Sequence, residues 1–204
     1  MSTEPPTATS SRKLTLQDIA DTRAYERERS AFRAQVVELK RRRRLSLGPV
    51  VTLVFENRET IRFQIQEMAR VERIATDVGI QDELDTYNPL VPEPGQLCAT
   101  LFLELTTDDE LRHWLPRLMG IERAVLFRLP DGEEVRSLPD PQHASQLTRD
   151  HVTAAVHYVT FSFTDAQIDA FGAGAMLAID HPDYVFEIMI GHETLAELQR
   201  DLRV

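Results

Sequence analysis

Between Arg58 and Glu72 the chain places five side chains able to hold a ligand, Arg58, Gln64, Glu67, Arg70 and Glu72, among apolar residues that belong to a core. A charge on a core-facing helix surface is costly unless it is paired. These groups fit a polar site that grips a ligand or a partner's backbone. They also fit a set of structural ion pairs tying this segment to the basic segment before it, because buried ion networks fix register. Two histidines could add proton transfer near neutral pH. His157 shares a strand face with Val159, Phe161 and Phe163, and His181 precedes Pro182 at a strand end. The first is more simply a core histidine bonded to a neighbour, and the second has no visible partner. A pocket joining Glu67, Arg70 and Glu72 to His157 or His181 is the enzymatic or ligand-binding reading.

Other chemistries find little support. The chain has no G-x-S-x-G elbow, phosphate loop, dinucleotide glycine fingerprint, H-E-x-x-H or paired C-x-x-C. Glu110 and His113 have the Glu-x-x-His spacing of carboxylate-bridged di-iron bundles, but in one copy that points away from the Leu111 and Trp114 face. Cys98, the single cysteine, can neither close an internal disulfide nor hold an iron–sulfur cluster, and reads as a small buried residue. The expectation is therefore no resident metal and no cofactor.

The elements that would position these residues follow from pattern. Residues 14–45 contain no Gly or Pro, with Thr15 and Asp18 as a start signal and Gly48-Pro49 as a stop, so one long helix is expected. Its narrow apolar stripe, Leu16, Ile19, Tyr25, Phe32, Val36 and Leu39, suits one neighbour, such as a second copy in a homodimer. Arg41, Arg42, Arg43 and Arg44 would then encircle the helix end, where cations are favoured, and offer a partner surface.

A buried strand at 50–55 precedes a second helix capped by Asn57, with Ile61, Ile65, Met68, Val71, Ala75, Arg58 and Glu72 on its core face. The competing pattern is a hairpin through Ile61, Phe63 and Ile65, with the helix starting only near Gln66. The proline-rich loop 88–95 separates a helical half, 13–95, from a second half, 96–204. That second half reads as a strand at 97–106, a helix opened by Thr107 and shortened by Pro116, and a hairpin at 123–138. A turn of helix at 143–150, a strand at 152–163, a helix capped by Thr164, a strand at 176–180 and a closing helix at 193–202 complete it. Hairpins and single helices describe an α+β fold in which the long first helix and the second helix pack on a mostly antiparallel sheet.

Composition narrows the partners. The chain of 204 residues carries a net charge of −10, which disfavours nucleic acid and anionic membranes. The charge is lopsided, since 11 basic and 5 acidic residues lie between Ser11 and Ser46. No apolar run reaches the length of a membrane span, and the opening MSTEPPTATSS lacks the pattern of a signal peptide. A cytoplasmic protein with a disordered tail over residues 1–12 is expected.

The runs VTLVFENRETIRFQIQEMARVERI, ELDTYNPLVPEPGQL and TLFLELTTDDELRHWLPRLMGIERAV, with the IDHPDY turn, resemble a bacterial family known only as a domain of unknown function. The resemblance covers nearly the whole chain after the first dozen residues. It implies a gene neighbourhood with a rubrerythrin-like di-iron protein and a heterodisulfide-reductase-like iron–sulfur protein, and so a role near electron transfer or peroxide defence. It supplies no catalytic residues. The functional expectation is a non-enzymatic accessory or adaptor for a redox protein, with a small-ligand binder or enzyme as the alternative.

Overall fold

The computed structural model describes residues 12–140 and 152–203. The expected disordered tail, apart from Arg12, and the expected helical turn at 143–150 lie outside the described residues. The chain begins with a 3-10 turn, Leu16–Asp18, and continues as α1 (Thr22–Arg42), β1 (Arg44–Leu47), β2 (Val51–Glu56), α2 (Arg58–Glu72) and α3 (Asp77–Tyr87). Then come β3 (Gln96–Leu103), α4 (Asp108–Trp114), β4 (Val125–Arg128), β5 (Glu134–Arg136), β6 (Leu138–Pro139) and β7 (Val156–Ser162). Helix α5 (Asp165–Gly172), the hairpin β8 (Met176–His181) and β9 (Tyr184–Met189), and α6 (His192–Arg203) close it.

Among the described residues the fold is α+β, built on two antiparallel sheets rather than one. The larger runs β1-β2-β3-β7-β6 and the smaller β5-β4-β8-β9. The larger sheet takes strands from both sides of the proline-rich loop. Strand β3 pairs with β2 so that Ala99 faces Phe55, and with β7 so that Ala99 faces Val159. This register puts the alternating set Leu97, Ala99, Leu101 and Leu103 on the face that meets the second sheet. Phe55, Phe127 and Phe161 join the two sheets there, with Phe127 and Phe161 ring centroids 4.8 Å apart. Tyr158 points from the other side of β7 and packs on Leu14, Ile61, Ile65, Leu84, Leu90 and Val91, so the N-terminal helices cover that face. All six residues of β2 are buried for this reason.

The first helix is shorter than the pattern 14–45 predicts. Asp21 caps a fresh start by accepting from Arg23 N and Ala24 N, and Ile19 before it is extended. At the other end Arg43 leaves the helix and Arg44 enters β1, so the four arginines do not encircle one helix. The apolar stripe of α1 finds its neighbour within the chain: Tyr25, Phe32 and Val36 pack with Phe63 of α2.

Helix α2 starts at Arg58, as the earlier of the two patterns requires, with Asn57 accepting from Glu59 N and Thr60 N. Its buried residues are Thr60, Ile61, Ile65, Gln66 and Ala69, whereas Val71 is 67% exposed and Glu72 and Ala75 are exposed too. Glu72 lies at the angle of Ile65 but is exposed, the last buried residue of α2 being Ala69, so its expected place on the core face is corrected. Pattern also missed α3, β1 and β9. In α3 a glycine lowers helix propensity, yet Gly79 is needed because a Cβ there would stand 2.5 Å from Ile74 Cγ2. Among the described residues no helix is long and apolar enough to cross a membrane.

Candidate functional site

Glu67, Arg70 and Gln66 project from one side of α2 toward α1 and the turn before it. Arg29 Nε and Nη2 donate to the two carboxylate oxygens of Glu67 at 2.7 and 2.8 Å, and Tyr25 Oη donates to Oε1 at 2.6 Å. This bidentate guanidinium holds the Glu67 carboxyl down at about 2 against the opposing effect of burial, with the Tyr25 hydroxyl adding to the depression. Burial and the Glu67 charge in turn push the Tyr25 hydroxyl well above its ordinary range. Gln66 accepts from Ala20 N at 2.7 Å and donates to Ala20 O at 3.2 Å, satisfying the chain where it turns into α1. Arg70 Nε donates to Glu26 at 2.5 Å, and Arg58 Nη2 donates to Asp18 at 2.5 Å. The ion pairs tying α2 to the basic segment are therefore present at Arg58, Glu67 and Arg70.

Next to this cluster the start of α1, the end of α2 and the start of α3 enclose a hollow of about 350 Å³. Leu16, Ile19, Ala69, Ile74 and Ile80 give it an apolar lining, and Arg23, Arg70, Asp21 and Asp77 give it charge of both signs. Arg70 is the one sequence-predicted site residue in that lining. Gln64 hydrogen-bonds Tyr87 instead, and Glu72 faces solvent.

The two histidines sit elsewhere. His157 is buried, with Nε2 2.9 Å from Ala154 O and 2.9 Å from Thr153 Oγ1. A carbonyl only accepts, so Nε2 carries the proton and Nδ1 faces Glu122 Oε2 at 4.0 Å. Burial pushes the His157 ring below the ordinary histidine range, with the Glu122 charge opposing. His181 Nε2 meets Met119 O at 3.0 Å while its Nδ1 accepts from Asp183 N at 3.2 Å, which locks the turn between β8 and β9. These contacts do not bring either ring to Glu67, Arg70 or Glu72.

The arginine run splits four ways. Arg41 pairs with Glu38 on the surface, Arg42 lies 3.5 Å from Glu197, and Arg44 pairs with Glu104. Arg43 is fully buried, so it offers nothing to an outside partner. Its guanidinium donates to Phe55 O, Glu56 O and Asp201. Glu110 folds back on Thr106 and Thr107 as a helix cap, and among the described residues no group of three His, Cys, Asp or Glu is arranged to hold a metal ion.

Sequence reasoning missed Tyr25, Arg29 and Gln66 as members of the cluster. Tyr25 and Arg29 stand four apart on α1, on neighbouring positions of one helix side, but the partner helix that they address leaves no local mark.

No curated protein matches the chain. A crystal structure of a novel protein of unknown function from Burkholderia pseudomallei K96243 is similar to it, with 38% sequence identity and a TM-score of 0.84, over 93% of this chain and 99% of that one. Residues 13–202 match the family model described as protein of unknown function (DUF3501), and the chain belongs to that family.

Proposed function

We propose that this protein is a non-enzymatic cytoplasmic accessory factor that docks an acidic redox partner on the exposed face of α1. The observation that carries the reading is a set of three arginines. Arg23, Arg27 and Arg33 are exposed on α1 and make no ion pair or side-chain hydrogen bond among the described residues, in a chain of net charge −10. Arg23 and Arg27 share one side of α1 and Arg33 lies about 80° round from Arg23, while Arg41, five turns and about 27 Å along from Arg23, is already paired with Glu38. Such a cationic strip on an acidic body steers an acidic partner into one orientation while the rest of the surface repels it. The family resemblance supplies the partner class, a rubrerythrin-like di-iron protein or an iron–sulfur protein. Nucleic acid and membrane surfaces are disfavoured by the same acidic body.

The test is a direct titration of this protein against a rubrerythrin-like protein and an iron–sulfur protein from its own genome, without oxygen, at low and physiological salt. Binding that weakens with salt and falls at least tenfold in Arg23→Glu/Arg27→Glu/Arg33→Glu is expected. No complex with either protein, or a complex that the triple variant leaves unchanged, rejects the reading.

The hollow beside Arg70 favours a second reading, a small-ligand site in which Arg23 and Arg70 meet an anionic group above the apolar lining. A compound that raises Tm for the native chain but not for Arg70→Ala would favour it.

A further inference from the structure

Of the four sheet edges among the described residues, β6, β5 and β1 are two, three and four residues long, whereas β9 runs over six, Tyr184–Met189. Short edges are a common way to avoid pairing with other chains, and β9 lacks that protection. Its inner partner is β8, and Ile190 N donates to Ala175 O just past the strand. Alternation along a strand then turns the backbone groups of Tyr184, Phe186 and Ile188 toward β8 and those of Val185, Glu187 and Met189 outward. The outward groups have no backbone partner among the described residues. The side chains there are also open, with Val185 at 71%, Met189 at 67% and Phe186 at 39% exposure.

We infer that β9 is the contact through which two copies of this chain associate, pairing antiparallel about a two-fold axis to join their four-stranded sheets. Charge selects the occupant. Two bodies of net charge −10 repel over most of their surface. On the face around β9 the charges nearly cancel, because Arg128 pairs with Glu134 and Glu187, and Arg136 pairs with Glu134 and Asp180. A second copy can approach there at small electrostatic cost.

Outward backbone groups must oppose outward ones, which leaves few registers. Centring the axis on Glu187 would set two carboxylates directly opposite each other and is disfavoured. Centring it on Phe186 places Val185 opposite Glu187 of the other copy, twice, and sets the two Phe186 rings side by side in a close pair. Phe186 is held in place by its own chain, its ring centroid 4.6 Å from that of Tyr184. Gly48, at φ +67°, passes so near that a Cβ would stand 2.7 Å from the ring.

The experiment is sedimentation of the full chain from about 1 to 500 μM, a span chosen to bracket weak self-association. Approach to twice the 23.3 kDa chain mass is expected. In the Phe186-centred register the two Cα atoms at 186 stand about 4.5 Å apart, within disulfide range. Phe186→Cys should therefore give a covalent dimer under mild oxidation. Val185→Lys/Met189→Lys should stay folded by circular dichroism and shift the dimer midpoint at least tenfold upward. A monomer at every concentration overturns the inference. So does a dimer that survives the lysine pair and yields no crosslink at position 186.

Discussion

Arg43 and Asp201, 158 residues apart, form a buried ion pair that fastens the last helix to the first hairpin. The same guanidinium donates to Phe55 O at 2.8 Å and Glu56 O at 3.2 Å and lies 3.6 Å from Glu197. Arg42 contributes its carbonyl, which accepts from Thr194 Oγ1 at 2.7 Å. Through these bonds the end of α1, strand β2 and α6 become one unit, and Leu198 and Leu202 are held in the core between the sheets.

Replacing Arg43 by methionine should therefore strand Asp201 at a buried position, while Glu197 keeps Arg42 and Arg200 beside it. Loss of one member of a buried pair costs about 3–5 kcal/mol, or a drop of about 1–2 M in the urea midpoint of a chain this size. Arg43→Lys should recover only part of this, because one ammonium cannot reach two carbonyls and a carboxylate in the arginine geometry. An unchanged midpoint in Arg43→Met would show that the pair adds nothing.

What the sequence made legible, and what it hid, can be traced to the same residues. The α+β class, the cap at Asn57, the strand at Leu97 and the caps at Thr107 and Thr164 are local signals, and each appears where its pattern lies. The end of α1 is not a local signal. A run of four arginines reads as a helix terminus, but Arg43 leaves the helix because carbonyls on β2 and a carboxylate on α6 capture it. Glu72 misleads for a related reason. A helical wheel gives angle but not how far burial extends along the helix, and on α2 the last buried residue is Ala69, a turn before Glu72. Likewise Glu67 and Arg70 announce a polar cluster, while Tyr25, Arg29 and Glu26, which complete it, are recognisable only once α1 and α2 lie together.

Glu67 gives a prediction with a pH signature. Its carboxyl binds protons less readily in the folded chain than in the unfolded one, where it titrates near 4.5. The stability that it contributes is therefore complete above about pH 4.5 and is lost as pH falls toward 2. Glu67→Gln keeps the shape but removes the charge-assisted bonds to Arg29, at a cost of about 1–3 kcal/mol near neutral pH. The difference in stability between the two proteins should shrink steadily on acidification below 4.5. A difference that stays constant from pH 6 to pH 2.5 would falsify this account of the Arg29 pair.

His157 titrates in a higher window. Burial disfavours the imidazolium, so the folded chain binds fewer protons at this site than the unfolded chain, whose ring titrates near 6.5. The neutral ring's contribution is then complete above pH 6.5 and is lost as pH falls from there through the folded value. Ala154 O fixes the proton on Nε2, leaving Nδ1 toward Glu122, whose Oε2 has no hydrogen-bond partner among the described residues. Glu122 pulls the ring upward, against burial, so Glu122→Gln should lower the titration midpoint further. Nuclear magnetic resonance of the His157 ring protons reads both effects: a midpoint below 6.5 in the native chain, and a lower one in Glu122→Gln. A native midpoint above 6.5 would mean that the carboxylate outweighs burial, and the acid-side loss of stability at this site would then reverse its sign.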